Sequence, residues 1–172
     1  MSPFWCCYNN GNMPEHWIPT LEMFTRLLIA LVFGALVGWE REIRARPAGL
    51  RTHILVALGA AGFTMVAMMM INEYITGRET PVAIDPAKII AGIVGGVGFL
   101  GAGSIFHRKT GGVKGMTTAA GIWVVATVGV AAGAGYYALS GLLVLFTLFT
   151  LQTLRFLSHR MEGAGKDPDK KD

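Results

Sequence analysis

Charge is missing from long stretches of this chain, and that absence constrains its fold more than any motif. No Asp, Glu, Lys, Arg or His occurs from Ile54 to Ile71, Ile89 to Phe106, Met116 to Ala134 or Tyr136 to Leu154. A fifth segment, Leu21 to Trp39, has an uninterrupted apolar stretch from Leu27. Each is close to the roughly 20 apolar residues needed to cross about 30 Å of hydrocarbon. A soluble core helix would show a polar stripe at a period near 3.6 residues, and these segments have none. The composition agrees: 52% of the 172 residues are hydrophobic and 15% are charged. The expected fold is therefore all-α, one polytopic membrane domain of five helices packed through glycine-rich faces. Residues 21–154 form the domain, between a tail of residues 1–20 and a charged tail of residues 155–172. Only "AGAGYY" separates the last two segments, which predicts a tight helical hairpin.

Lys and Arg orient the domain. Twelve of the 15 basic residues fall after the first segment, after the third, or in the C-terminal tail. With five spans these share one side, leaving Arg26, Arg78 and Lys88 on the other. This places the N-terminus outside and the C-terminus in the cytoplasm. The net charge of +4 is then a topology signal with some attraction for anionic headgroups, and it does not indicate a nucleic-acid partner. The lipid bilayer is the first partner. The N-terminus lacks the basic region and cleavage site of a signal peptide. Cys6 and Cys7 are adjacent on the outer tail, where intermolecular oxidation or simple disorder are the two readings.

"GVGFLGAGSI" contains a literal G-x-G-x-x-G at Gly96, Gly98 and Gly101. A dinucleotide site would need a preceding strand and an acidic residue about 20 positions on. The segment is instead one apolar run, and no Asp or Glu lies between Gly101 and Glu162. Two readings remain. Gly92, Gly96 and Gly103 on one side, with Gly95, Gly98 and Ala102 on another, would let a central helix be gripped by two neighbours. Ala30, Gly34 and Gly38, and Thr117 with Gly121, supply complementary small faces. Alternatively, so much glycine breaks the third helix and opens an ion path at mid-membrane. Small faces also permit a homo-oligomer.

Two basic turns lead into helices in similar ways. Gly49-Leu50-Arg51-Thr52 and Gly115-Met116-Thr117-Thr118 match at an offset of 66, suggesting a parallel duplication of hairpins. Glu40, Arg41, Arg44, Arg51, Thr52 and His53 gather around the first turn. They either snorkel and cap helices at the interface, or bind a lipid phosphate or an acidic partner. Thr117 and Thr118 either cap a helix or line a polar seam between the hairpins. No nucleophile–base pair or metal-ligand cluster is evident, so an enzyme is not expected. Proton pumps place ionisable groups inside spans, and the spans from Ile54 to Ile71 and between Ile89 and Leu154 have none. Magnesium prefers oxygen ligands, and Glu73, Glu79 and Asp85 are the candidates for holding it loosely.

"GWEREIRARPAGLRTHILVALGAAG", "DPAKIIAGIVGGVGFLGAGSI" and "VKGMTTAAGIWVVATVG" together resemble the MgtC/SapB family of bacterial inner-membrane proteins over about Leu21 to Leu154. The resemblance implies a five-span domain linked to magnesium homeostasis and virulence. It also implies a regulator of other membrane proteins, the F-type ATP synthase among them, with magnesium or small-solute transport as the alternative. The family's signatures fall on Glu40, Arg41, Arg51, Thr52 and His53, on Gly96, Gly98, Gly101 and Gly103, on Asp85 and Pro86, and on Thr118, Ala119 and Ala120. The chain departs from the family's namesake in having Thr117 where that protein has Asn, and in lacking its soluble C-terminal domain. It also has Lys88 where an arginine is common.

Overall fold

The structure is a computed structural model and describes residues 20–75, 85–107 and 112–164. Side chains of residues 72–75, 107 and 154–164 lie outside the description. Five helices account for nearly all of it: α1 (Thr20–Ile43), α2 (Leu50–Ile75), α3 (Pro86–Gly103), α4 (Met116–Gly133) and α5 (Tyr137–Ala164). A two-residue ladder, β1 (Phe106–His107) against antiparallel β2 (Val113–Lys114), closes the α3–α4 turn. The first four helices are long and apolar enough to cross a membrane, and α5 has a shorter apolar stretch, Tyr137–Thr153. The all-α fold read from the charge-free segments is the one observed, and the chain is a membrane protein.

Helix ends follow local chemistry. Asp85 accepts a hydrogen bond from the Ala87 N–H at 2.9 Å, and Pro86 opens α3 at the position where a missing N–H costs nothing. The last turn of α1 closes through Ala45 N–H to the Glu42 carbonyl and Arg46 N–H to the Arg41 carbonyl. That pattern places Ala45 in the left-handed region, at φ +48°. The α4 end repeats it, with Gly135 at φ +81°. The predicted 66-residue repeat also has a structural counterpart. α2 begins at Leu50 directly after Gly49, and α4 begins at Met116 directly after Gly115.

Side-chain contacts fix the arrangement. Gly34 and Gly38 of α1 lie on Ala57 and Leu50 of α2, so these helices are antiparallel. Gly121, Gly129 and Gly133 of α4 follow His53, Ala57 and Ala61 of α2 in the same order, so α4 runs parallel to α2. The Ser140 hydroxyl of α5 donates to the Val128 carbonyl of α4 at 2.9 Å. The C-terminal ends of α1 and α3 therefore meet the N-terminal ends of α2 and α4 at one end of the bundle, here termed the basic end. α4 is the hub and touches every other helix, while α3 packs mainly on α4 and α2. Val37, Ala57, Val125 and Val128, all fully buried, form the main apolar core.

Three expectations are corrected here. The central helix is α4 and not the glycine-rich third one. Added Cβ atoms at Gly92, Gly95, Gly96, Gly98 and Gly103 would meet nothing within 4 Å, and only Gly101 has a neighbour, Ala119. The complementary faces of α1 and α4 are turned to α2 instead, and Thr117 is exposed. Second, the expected break is absent, because α3 is one continuous helix. Hydrocarbon offers no water to receive a freed backbone N–H or carbonyl, so a glycine-rich segment stays helical there. Third, α5 continues to Ala164, beyond the predicted start of the charged tail at residue 155.

Candidate functional site

The basic end is built from the residues that small side chains allow close together. At Gly38 a Cβ would lie 2.8 Å from Leu50 Cα and 3.0 Å from His53 Cβ. The α1–α2 interface can close there only without a side chain. Across α4, Gly121 leaves room for the His53 ring, whose Nε2 would sit 3.5 Å from an added Cβ. His53 is consequently fully buried between α1 and α4. Its Nδ1 lies 2.8 Å from the Gly49 carbonyl one turn back. A carbonyl only accepts, so Nδ1 carries the proton, and Nε2 is left without a hydrogen-bond partner among the described residues.

One turn after Gly38, Arg41 turns into the bundle. It is 3% exposed, and its Nη2 donates to Thr118 Oγ1 of α4 at 3.0 Å. Thr118 is 2% exposed. This bond ties the first hairpin to the second, and Arg41 Nε has no partner among the described residues. Glu40, 8% exposed, forms an ion pair through Oε1 with Arg44 one turn on. Neither Glu40 oxygen has a partner in hydrogen-bond geometry among the described residues. Glu42 faces the other way and accepts the Leu50 N–H at 2.9 Å, capping α2 from eight residues upstream. A Cβ at Gly49 would displace the Glu42 carboxylate from this cap.

Burial thus divides the sequence-predicted set. Arg41, His53 and Thr118 are interior, with Arg41 and Thr118 joining α1 to α4, so these three present no surface to a docking partner. Glu40, paired with Arg44 one turn on, instead sits in the wall of a surface groove. Arg51 is exposed, Arg44 and Thr52 are half-buried, and Arg46 is exposed beside them. Among Gly95, Gly96, Gly98, Gly101 and Gly103, only Gly101 makes a helix contact. Asp85 is exposed and serves as the α3 cap. The Glu73 side chain, Glu79, Cys6 and Cys7 lie outside the described residues. Among those described, no three of His, Cys, Asp and Glu gather to hold a metal ion.

Sequence reasoning missed a second anchor at the opposite end. Arg26 Nη1 donates to the Gly133 carbonyl, the last of α4, at 2.7 Å, and Nε to Glu22 Oε1 at 3.2 Å. A lone cation within the first turns of an apolar span was the available signal. Gly129 and Gly133 were missed as well. Their four-residue spacing is visible in "TVGVAAGAG", but not that it matches Ala57 and Ala61 of α2.

An open groove of about 560 Å³ runs between α1 and α5 at the basic end, lined in part by Trp39, Glu40, Arg44, Arg46 and Gln152. A second, of about 660 Å³, is wholly apolar and lies between α2 and α3.

A buried Glu-Arg pair, a buried histidine one turn into the next helix and the threonine that receives the arginine all lie within the region that matches the MgtC family, residues 27–160. The chain belongs to the MgtC family. It is 38% identical over 142 residues to the Escherichia coli K12 protein named "Putative magnesium transporter YhiD", covering 83% of this chain and 65% of that one. It is 37% identical over 146 residues to Protein MgtC of Brucella abortus, covering 85% and 57%. An uncharacterized protein of Haemophilus influenzae is 38% identical over 123 residues, covering 72% and 50%. This MgtC-family chain thus spans half to about two thirds of the length of these relatives. No solved structure matches it.

Proposed function

We propose that this chain is a non-enzymatic inner-membrane module, N-terminus outside and C-terminus cytoplasmic, that binds and regulates another membrane complex in magnesium homeostasis. The observation that carries this reading is where its charge is spent. Of the buried ions at the basic end, Arg41 ties α1 to α4 through Thr118 and Glu40 pairs with Arg44 along its own helix, while Arg46 and Arg51 remain at the surface of that end. No charged side chain lies in the middle of any span, and α3 is unbroken. An array of surface cations suits docking to an acidic face, and the F-type ATP synthase is the complex suggested by family resemblance. The rival reading, a magnesium or small-solute transporter, is favoured by the printed name of the Escherichia coli relative.

Magnesium uptake into proteoliposomes holding the purified full chain separates the two, with an entrapped indicator and empty liposomes as control. The module reading predicts uptake no greater than the control. Saturable uptake that depends on the protein would overturn it.

A further inference from the structure

The groove between α1 and α5 has a polarity gradient along its length. At the basic end its lining includes Arg44, Arg46 and Gln152, with Glu40 in its wall. One turn further into the bundle on each helix, the lining is Leu36 of α1 and Leu148 of α5. Trp39, 60% exposed, stands at the junction. Indole rings favour that depth of a bilayer, with the ring in the apolar zone and the N–H toward headgroups. The groove therefore changes from ionic to apolar over the distance in which a phospholipid changes from headgroup to acyl chain.

Its charges are also of both signs. Arg46 is exposed and has no acidic partner among the described residues, and Arg44 shares the groove with it. Glu40 is more than nine-tenths buried, yet its Oε2 accepts nothing among the described residues, and its Oε1 has only the ion-pair contact with Arg44. A buried carboxylate oxygen left without a donor is costly, and a ligand with N–H donors relieves it. A lone divalent cation fits poorly, since Arg41, Arg44 and Arg46 surround that one carboxylate in sequence. A simple anion would engage the arginines and leave Glu40 unsatisfied.

We infer that the α1–α5 groove binds a phospholipid with a primary-amine headgroup, phosphatidylethanolamine. Its phosphate sits on Arg46 and Arg44, the Glu40 side chain turns its carboxylate from the groove wall to accept from the ammonium, and the chains lie along Leu36 and Leu148. The inference is independent of what the protein regulates or transports. An ammonium with three N–H donors and an adjacent phosphate meets both halves of the polar lining. Phosphatidylcholine presents the same phosphate with no N–H donor, and phosphatidylglycerol adds negative charge without a cation for Glu40.

The test is native mass spectrometry of the full-length protein released from detergent. Phosphatidylethanolamine, its mono- and dimethyl derivatives, phosphatidylcholine and phosphatidylglycerol are added at equal concentration with identical chains. Retention should hold through the mono- and dimethyl derivatives, which keep an N–H, and fall by about tenfold at phosphatidylcholine, the worth of one charge-assisted hydrogen bond. Phosphatidylglycerol should be retained less than phosphatidylethanolamine. This series uses the unaltered protein and does not depend on a variant folding. Glu40→Gln should flatten the series, and Arg46→Ala should weaken retention of every phospholipid. Equal retention across the methylation series, stronger retention of phosphatidylglycerol, or an undiminished preference in Glu40→Gln would each overturn the inference.

Discussion

Two glycine-rich regions of this molecule behave in opposite ways. In α3, Gly92 and Gly96 are four residues apart with Gly95, Gly98 and Gly103 close by, yet none of these five has a neighbour where a Cβ would stand. Along the α2 seam, the glycines are fewer and more widely spread. There, Gly34 and Gly38 on one side and Gly129 and Gly133 on the other press against the α2 backbone. Both regions have the spacing that lets membrane helices approach closely. Spacing alone therefore does not identify a packed face. What makes the second region an interface is that α2 lies against each of these glycines, with Ala57 and Ala61 under Gly129 and Gly133, and Ala57 and Leu50 under Gly34 and Gly38. The close approach has a consequence for chemistry, because it encloses His53 and brings Arg41 of α1 within reach of Thr118 of α4.

The contrast can be broken by substitution. The largest effect is expected at Gly133, where a Cβ would lie 2.5 Å from the Ala61 carbonyl oxygen and 2.8 Å from Ala61 Cα. Backbone cannot yield as a flexible side chain can, so Gly133→Val should cost about 3 kcal/mol or prevent folding, read by equilibrium unfolding in mixed micelles. Next, Thr118→Val removes the acceptor of a buried guanidinium while keeping the volume, and about 1–3 kcal/mol should be lost. Thr118→Ser, which restores the hydroxyl, should recover most of it. Arg26→Leu tests the opposite end of the seam. It deprives the Gly133 carbonyl of its donor, and the melting temperature should fall by an amount corresponding to about 1 kcal/mol. The smallest effect concerns glycine in its other use, as a residue free to turn left-handed. The same helix-closing motif has Gly135 at one end of the molecule and Ala45 at the other. Ala45→Gly should therefore stabilise the chain by about 0.5–1 kcal/mol, measured in the same unfolding assay.

These regions also show what could be read before the fold was known. The five helices were legible because a bilayer permits few alternatives to a charge-free run of span length. The turn at Ala134–Tyr136 was legible because almost nothing separates the flanking segments. The fate of the ionisable residues was not. Near a membrane surface Arg and His usually reach for water. Whether Arg41 and His53 do so depends on how closely α1 and α4 approach α2, at Gly38 above all, and that approach exists only in the folded bundle. For the same reason the sequence singled out α3. Its glycines are the densest in the chain, and density is visible in one dimension, whereas the partner that a face requires is not. The resemblance to the family marked Glu40, Arg41, His53 and Thr118 as notable without indicating that they are interior. Only the packing of α1, α2 and α4 encloses them and makes Arg41 and Thr118 the tie between the two hairpins.

The most direct test of this account places the same side chain in each glycine region. Gly129→Leu puts its Cβ against the Ala57 carbonyl, whereas Gly96→Leu puts it in open space. Both proteins would be melted in the same bilayer mimetic beside the unaltered chain. The account predicts that Gly129→Leu fails to fold or melts far lower, while Gly96→Leu melts with the unaltered protein. Equal destabilisation of both, or a larger loss at Gly96, would contradict it and return the central position to α3.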